Sequence, residues 1–110
     1  MKKDLQNIEE ILFFLIKENN FREFKDITDK YRVNTESRDK EGNTFLIFAV
    51  ECGFIDFVKW LVQKGANIDA QNLKGNTSLH LAMIFQNYEI IDYLSRNGAN
   101  ERLLNDQNLT

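Results

Sequence analysis

The amino-acid sequence predicts an all-α fold, a small solenoid of stacked helix-turn-helix pairs joined by β-turn or hairpin-like loops. Three observations carry this reading. Shifting the 110-residue chain by 33 positions superposes Gly42, Asn43, Thr44, Leu46 and Ala49 on Gly75, Asn76, Thr77, Leu79 and Ala82. The same shift superposes Leu61, Gly65, Ala66 and Asn67 on Leu94, Gly98, Ala99 and Asn100, nine identities in 33 positions. Between these landmarks the apolar residues recur at helical spacing. Two short helices cannot bury their apolar faces alone, whereas stacked pairs can.

Residues 1–38 form a divergent first unit, read as an N-terminal capping helix pair. Leu12, Leu15 and Ile16 match Leu46, Ala49 and Val50 at a shift of 34, and Phe24 and Ile27 match Val58 and Leu61 at the same shift. Asn34, however, lies 33 before Asn67, so this unit carries one extra residue near Tyr31. It lacks the glycines and the Gly-x-Thr signal, as a terminal cap with a water-facing outer side would. Phe13 and Phe14 are adjacent and cannot both face the core from one helix. They are expected to divide between the core and a flank, and Phe21 raises a similar point.

Residues 39–71 form the second unit. Gly42 suits a tight turn with positive φ, and Thr44 is a good N-cap. A short helix is expected near 45–52, with Leu46, Ala49 and Val50 at i, i+3, i+4. A second is expected near 55–64, with Phe57, Val58 and Leu61 inward and Gly65 as the C′ residue. Residues 72–104 repeat the plan: Gly75 in the turn, Thr77 as N-cap, helices near 78–86 and 88–97 carrying Leu79 and Leu94, then Gly98. Residues 105–110, "NDQNLT", align with residues 72–77 and read as the start of a truncated further repeat. Together the units make a single domain over 1–110. Two clear units and a cap are near the minimum for such an array, so marginal stability is expected.

The motif Thr77-Ser78-Leu79-His80-Leu81-Ala82 and its looser copy Thr44-Phe45-Leu46-Ile47-Phe48-Ala49 resemble the Thr-Pro-Leu-His-x-Ala signature of the ankyrin repeat, which has a 33-residue period. Residues 64–72, "KGANIDAQN", are similar to that family's Gly-Ala-Asp-Val-Asn-Ala turn. The resemblance is strong over 39–104 and weaker over about 5–38. Proline is absent, so the helix starts lean on threonine. The resemblance implies that His80 is structural, hydrogen-bonding near the N-cap threonine and to a neighbouring turn. It also implies a protein-binding scaffold or adaptor that meets its partner through turn tips and the concave first-helix face. By position the tips are Arg38, Lys40, Glu41 and Asn43, then Gln71, Leu73, Lys74 and Asn76. The exposed first-helix positions are Glu51 and Cys52, then Ile84 and Phe85. Leu73, Ile84 and Phe85 are expected to form one apolar patch beside Lys74 and Gln71, of the kind that marks interfaces. The other reading, that Phe85 folds over the second helix or is covered by a following repeat, stays open at this point.

Composition narrows the remaining classes. The net charge is −3, with the basic residues scattered among acids, so no basic stripe for nucleic acid is present. The single cysteine excludes an internal disulfide, and one Cys with one His is too few for a structural zinc site. No apolar run is longer than that of residues 11–16, which is far short of the ~20 residues of a membrane span. No signal peptide is evident, since Asp4, Glu9 and Glu10 precede that run. The expectations are therefore no catalysis, no cofactor and no metal, with a protein partner, no nucleic acid and no membrane insertion. A cytoplasmic location is expected, and a monomer, with association through an incompletely capped C-terminal end as the variant. A Cys52–His80 nucleophile pair is chemically conceivable but lacks an orienting third residue and an oxyanion loop. Asn76-Thr77-Ser78 and Asn108-Leu109-Thr110 fit the glycosylation acceptor pattern, which a chain with 13 asparagines meets by chance. The alternative function is an N-terminal regulatory or targeting ankyrin domain of a longer enzyme or effector.

Overall fold

The computed structural model describes residues 2–103 and 105, with side chains from Ile8 onward. Six helices follow one another: α1 (Lys2–Lys17), α2 (Phe21–Lys30), α3 (Phe45–Cys52), α4 (Ile55–Gln63), α5 (Ser78–Ile84) and α6 (Tyr88–Arg96). No strand occurs among the described residues. The expected start signals act as caps. The Thr44 hydroxyl accepts from Ile47 N–H at 3.3 Å, and the Thr77 hydroxyl accepts from His80 N–H at 3.2 Å. Each satisfies a donor that the first helical turn leaves without a partner. α4 and α6 stop just before Gly65 and Gly98, whose φ values of +89° and +88° turn the chain out of the helix.

The helices pair as α1/α2, α3/α4 and α5/α6, and the pairs stack in a row of 43 × 24 × 22 Å. First helices pack on first helices, α1 on α3 and α3 on α5, while α4 packs on α6. The inward residues of the sequence pattern form the core: Leu12, Ile16 and Phe24 from the cap, Leu46, Ala49, Val50, Phe57, Val58 and Leu61 from the middle pair, Leu79, Ala82, Ile90 and Leu94 from the last. Phe24 joins the first pair to the second. Its ring lies 5.1 Å from Phe57, 5.4 Å from Trp60 and 6.2 Å from Phe45, in each case edge-on, the geometry that aromatic quadrupoles favour. The adjacent phenylalanines divide as expected: Phe13 packs on Phe45 at 4.5 Å, and Phe14 is 58% exposed.

α4 and α6 each end one residue before their expected limits, and α5 falls shorter still. α5 ends at Ile84, two residues before the expected limit, because Gln86 adopts φ +55° and Asn87 N–H turns back to Ala82 O at 2.9 Å. The matching residue of the second unit is Gly53, at φ +82°. Of residues 105–110, all but Asn105 lie outside the described residues, as does Leu104.

Two outcomes follow for stability. Phe24→Ala lowers the free energy of unfolding in urea by about 3–5 kcal/mol, whereas Phe14→Ala changes it by less than about 0.5 kcal/mol; comparable losses would contradict the ring junction. Gln86→Gly raises stability by about 0.5–1 kcal/mol, because glycine holds a left-handed φ without the clash a Cβ makes. A lower melting midpoint for Gln86→Gly would contradict that account.

Candidate partner-binding surface

The turns between helix pairs are built by one side chain each. Asp39 Oδ1 accepts from Glu41 N–H at 3.0 Å and Asn43 N–H at 2.9 Å, and Asn72 Oδ1 accepts from Lys74 N–H and Asn76 N–H at 3.0 Å. Backbone bonds close the same loops: Gly42 N–H to Asp39 O at 3.0 Å, Gly75 N–H to Asn72 O at 2.9 Å. Aspartate and asparagine suit this place because the short side chain caps its own turn. Adjacent turns are then tied to each other. Leu73 N–H donates to Glu41 O at 3.0 Å, Asn72 Nδ2 donates to Asn43 Oδ1 at 3.0 Å, and Arg38 Nη1 donates to Gly42 O at 2.8 Å and Gln71 O at 2.7 Å. Gly42 lies directly beneath the next turn. A Cβ there would come within 2.8 Å of Leu73 Cγ and 2.9 Å of Leu73 N, so this position admits only glycine, whose φ is +79°.

This platform leaves a groove of about 490 Å³ between the two turns and the first helices. Lys40, Glu41, Asn43, Glu51, Leu73, Lys74 and Asn76 line it, seven of the twelve residues that sequence position singled out. Asn72 and Leu81 line it as well and were missed. Leu81 reads in sequence as one more apolar residue of the helix. Its place in the groove depends on how far the turns overhang α5. The groove thus offers one exposed apolar side chain, Leu73, over the buried Leu81, between two lysines and two glutamates.

Several expectations need correction. Asn43 is not an exposed tip. It is 3% exposed, with its amide donating to Asp39 Oδ2 at 3.3 Å and its carbonyl taking Asn72 Nδ2, so it is a brace between turns. Gln71 is half-buried, its side chain donating to Gly75 O of its own turn at 2.8 Å. Cys52 is half-buried and packs against the core rather than standing free. Ile84 and Phe85 are 61% and 54% exposed, so Phe85 does not fold away over α6. They do not join Leu73 in the groove, however. Leu73 precedes the start of α5 and they stand at its far end, ~10 Å along a seven-residue helix. There they accompany Met83 and Tyr88, which are also exposed. The single expected patch is two patches.

His80 is 6% exposed and fully engaged. Nδ1 accepts from Thr77 N–H at 2.8 Å, which leaves Nε2–H to donate to Leu103 O at 2.8 Å. The ring closes the cap of its own helix and ties it to the following turn. In the second unit Ile47, 1% exposed, fills the same place by packing. The Cys52 thiol is pushed up from its ordinary value, first by burial and then by the Glu51 carboxylate, with Lys17 opposing. A thiol so shifted holds its proton at neutral pH, the reverse of what a nucleophile needs. Among the described residues, no three His, Cys, Asp or Glu gather to hold a metal, and no helix is long and apolar enough to cross a membrane.

Comparison with known proteins agrees with the architecture. The family model described as "Ankyrin repeats (3 copies)" matches residues 4–105. An ankyrin repeat protein of Acanthamoeba polyphaga mimivirus, L371, is 34% identical over 86 residues, covering 76% of this chain and 11% of that protein. Mouse ankyrin repeat and SAM domain-containing protein 6 is 33% identical over 93 residues, covering 84% of this chain and 10% of its own length. Human palmitoyltransferase ZDHHC17 is 38% identical over 65 residues, 58% of this chain and 10% of the enzyme. The chain therefore spans about a tenth of the length of these three relatives.

The thiol shift has a kinetic consequence. At pH 7–8 Cys52 should react with a disulfide probe such as 5,5′-dithiobis(2-nitrobenzoate) more slowly than free cysteine, and its rate should rise with pH at a higher midpoint than the free thiol's. A faster reaction than free cysteine would reinstate Cys52 as a nucleophile.

Proposed function

The chain belongs to the ankyrin-repeat family, and on that premise we propose that it is a protein-interaction scaffold that seats a partner protein in the groove between turns 39–44 and 72–77. Ankyrin repeats are in general protein–protein interaction modules. One observation supports this particular surface: a rigid, doubly braced pair of turns presents Leu73, above the buried Leu81 of α5, between Lys40, Lys74, Glu41 and Glu51. A preformed surface loses little conformational entropy on binding, and an apolar centre with a charged rim gives affinity and register separately. Catalysis is not part of this reading, since both nitrogens of His80 are committed to the fold and the Cys52 thiol is held protonated. A cytoplasmic setting belongs to the same proposal.

A second reading is favoured by the length of the relatives. In it, these residues are a regulatory or targeting module of a longer protein. The palmitoyltransferase that matches over 65 residues is a longer protein, an enzyme of which the matched region is a tenth. The two readings share the same surface and differ in whether the partner is separate or covalently attached.

The test compares partner retention by the native chain and a Leu73→Ala/Lys74→Glu double variant in affinity capture from the native source. Both side chains are exposed, so the variant should keep its melting midpoint within a few degrees while losing at least about tenfold in affinity. Phe85→Ala serves as the comparison at the second patch. Retention unchanged in the double variant and lost in Phe85→Ala would move the binding surface to the end of α5.

A further inference from the structure

The extra residue of the first unit has a structural result between α2 and α4. In the later units the helix stops at a left-handed glycine and the chain folds back at once, with Ala66 N–H donating to Leu61 O and Ala99 N–H to Leu94 O, both at 3.1 Å. α2 has no such glycine. Its C-cap, Tyr31, is extended (φ −119°, ψ 145°), and the chain runs outward until Ser37 N–H closes a turn on Asn34 O at 3.1 Å. A cavity of about 290 Å³ remains beneath this stretch.

The cavity has an apolar interior and a charged mouth. Buried Phe24, Phe45 and Leu61 line it, with the half-buried Trp60 beside them. Lys64, another lining residue, holds its ammonium 5.5 Å from the centroid of the Trp60 ring. Arg32 is exposed and has no hydrogen bond or ion pair among the described residues. Asp29 is the lone carboxylate among the lining residues, so cations outnumber anions there by two to one. The two threonine hydroxyls of the lining are already committed, Thr28 to Lys25 O and Thr35 to Glu36, and the remaining lining hydroxyl belongs to the exposed Tyr31.

We propose that this cavity between α2 and α4 binds a small aromatic carboxylate, its ring against Trp60 and its carboxylate on Arg32. An aromatic body gains from burial against an apolar floor and from edge or offset contact with the indole. A free guanidinium matches a carboxylate through two parallel N–H···O bonds, and Lys64 adds a second positive charge. The volume is at the small end of ordinary ligand pockets, about 300–1,000 Å³, which restricts the ligand to one ring or a fused pair. The site shares no lining residue with the groove between the turns, so it stands or falls apart from the scaffold proposal.

Trp60 is the chain's single tryptophan and reports occupancy directly. The experiment titrates the full chain with 4-phenylbutanoate, and separately with neutral 4-phenylbutanamide, following fluorescence excited at 295–300 nm. The acid should change the emission saturably and bind about tenfold more tightly than the amide, the ratio expected for a charge-assisted hydrogen-bonded pair. Arg32→Gln should weaken the acid by about the same factor and leave the amide unaffected. Thr28→Phe, which fills the cavity, should abolish saturation, with circular dichroism reporting that the fold is kept; Phe85→Ala should leave the affinity unchanged. No saturable response in the native chain, equal affinity for acid and amide, or an unchanged affinity in Arg32→Gln would each overturn the proposal. Because Arg32 is exposed and unbonded, that variant keeps the test decisive even if Thr28→Phe unfolds.

Discussion

Phe24 touches three aromatic rings of the following helix pair, and the rest of the structure depends on contacts of this kind. Helices of seven to ten residues, as all but α1 are, are marginal in water, because nucleating a turn costs more than so few bonds return. They persist here only as stacked pairs. Stacking requires flat, closely approaching faces, which Ala49 and Ala82 allow, and it requires bulk between the second helices, which Phe24, Phe57, Trp60 and Leu61 supply. Glycine and threonine then decide where each helix begins and ends, so that the faces arrive in register.

The turns obey a second constraint. Their carbonyls and amides would be costly to leave unpaired beside the core, and the chain satisfies them with short polar side chains at repeated positions. Asp39, Asn72 and Gln71 organise their own loops, and Arg38 and the Asn43–Asn72 pair tie loops together. The surface proposed for a partner is a by-product of that economy. Once the loops are braced, the residues not needed for bracing, among them Lys40, Leu73 and Lys74, are free to vary and to face outward.

Most of the fold was legible because it is written twice. The 33-residue shift located the turns, the caps and the inward residues of α3 to α6, and an i, i+3, i+4 pattern needs no tertiary knowledge. Among contacts between units, the bond of His80 to the following turn was legible from the family resemblance, and most others were not. Asn43 and Lys40 look alike as turn residues, yet one is inside a brace and the other in solvent; only the neighbouring turn decides which. Cys52 sits at a position counted as exposed, but a small apolar side chain at a helix end settles against the core. Leu73 falls with Ile84 and Phe85 because the resemblance reads turn tips and first-helix positions as one face, and α5 separates them. Leu81 was overlooked because its apolar character suits core and groove equally. The cavity beside Trp60 left a trace, the change from a 34-residue to a 33-residue shift around Tyr31, but an inserted residue can bulge in many ways and only the extended path of residues 31–34 opens a space.

The side-chain bridges between turns also bear on how the chain assembles. Asn72 reaches Asn43 and Asn105 reaches Asn76 across 29 residues, Asp69 takes Asn100 N–H and Glu36 takes Asn67 N–H across 31, and Arg38 meets Gln71 across 33. Every such bridge closes a loop about one unit long, and none spans two. The entropy of closing a loop depends only weakly on its length, so each junction forms against nearly the same barrier. Folding can therefore nucleate at either junction and grow along the row in both directions.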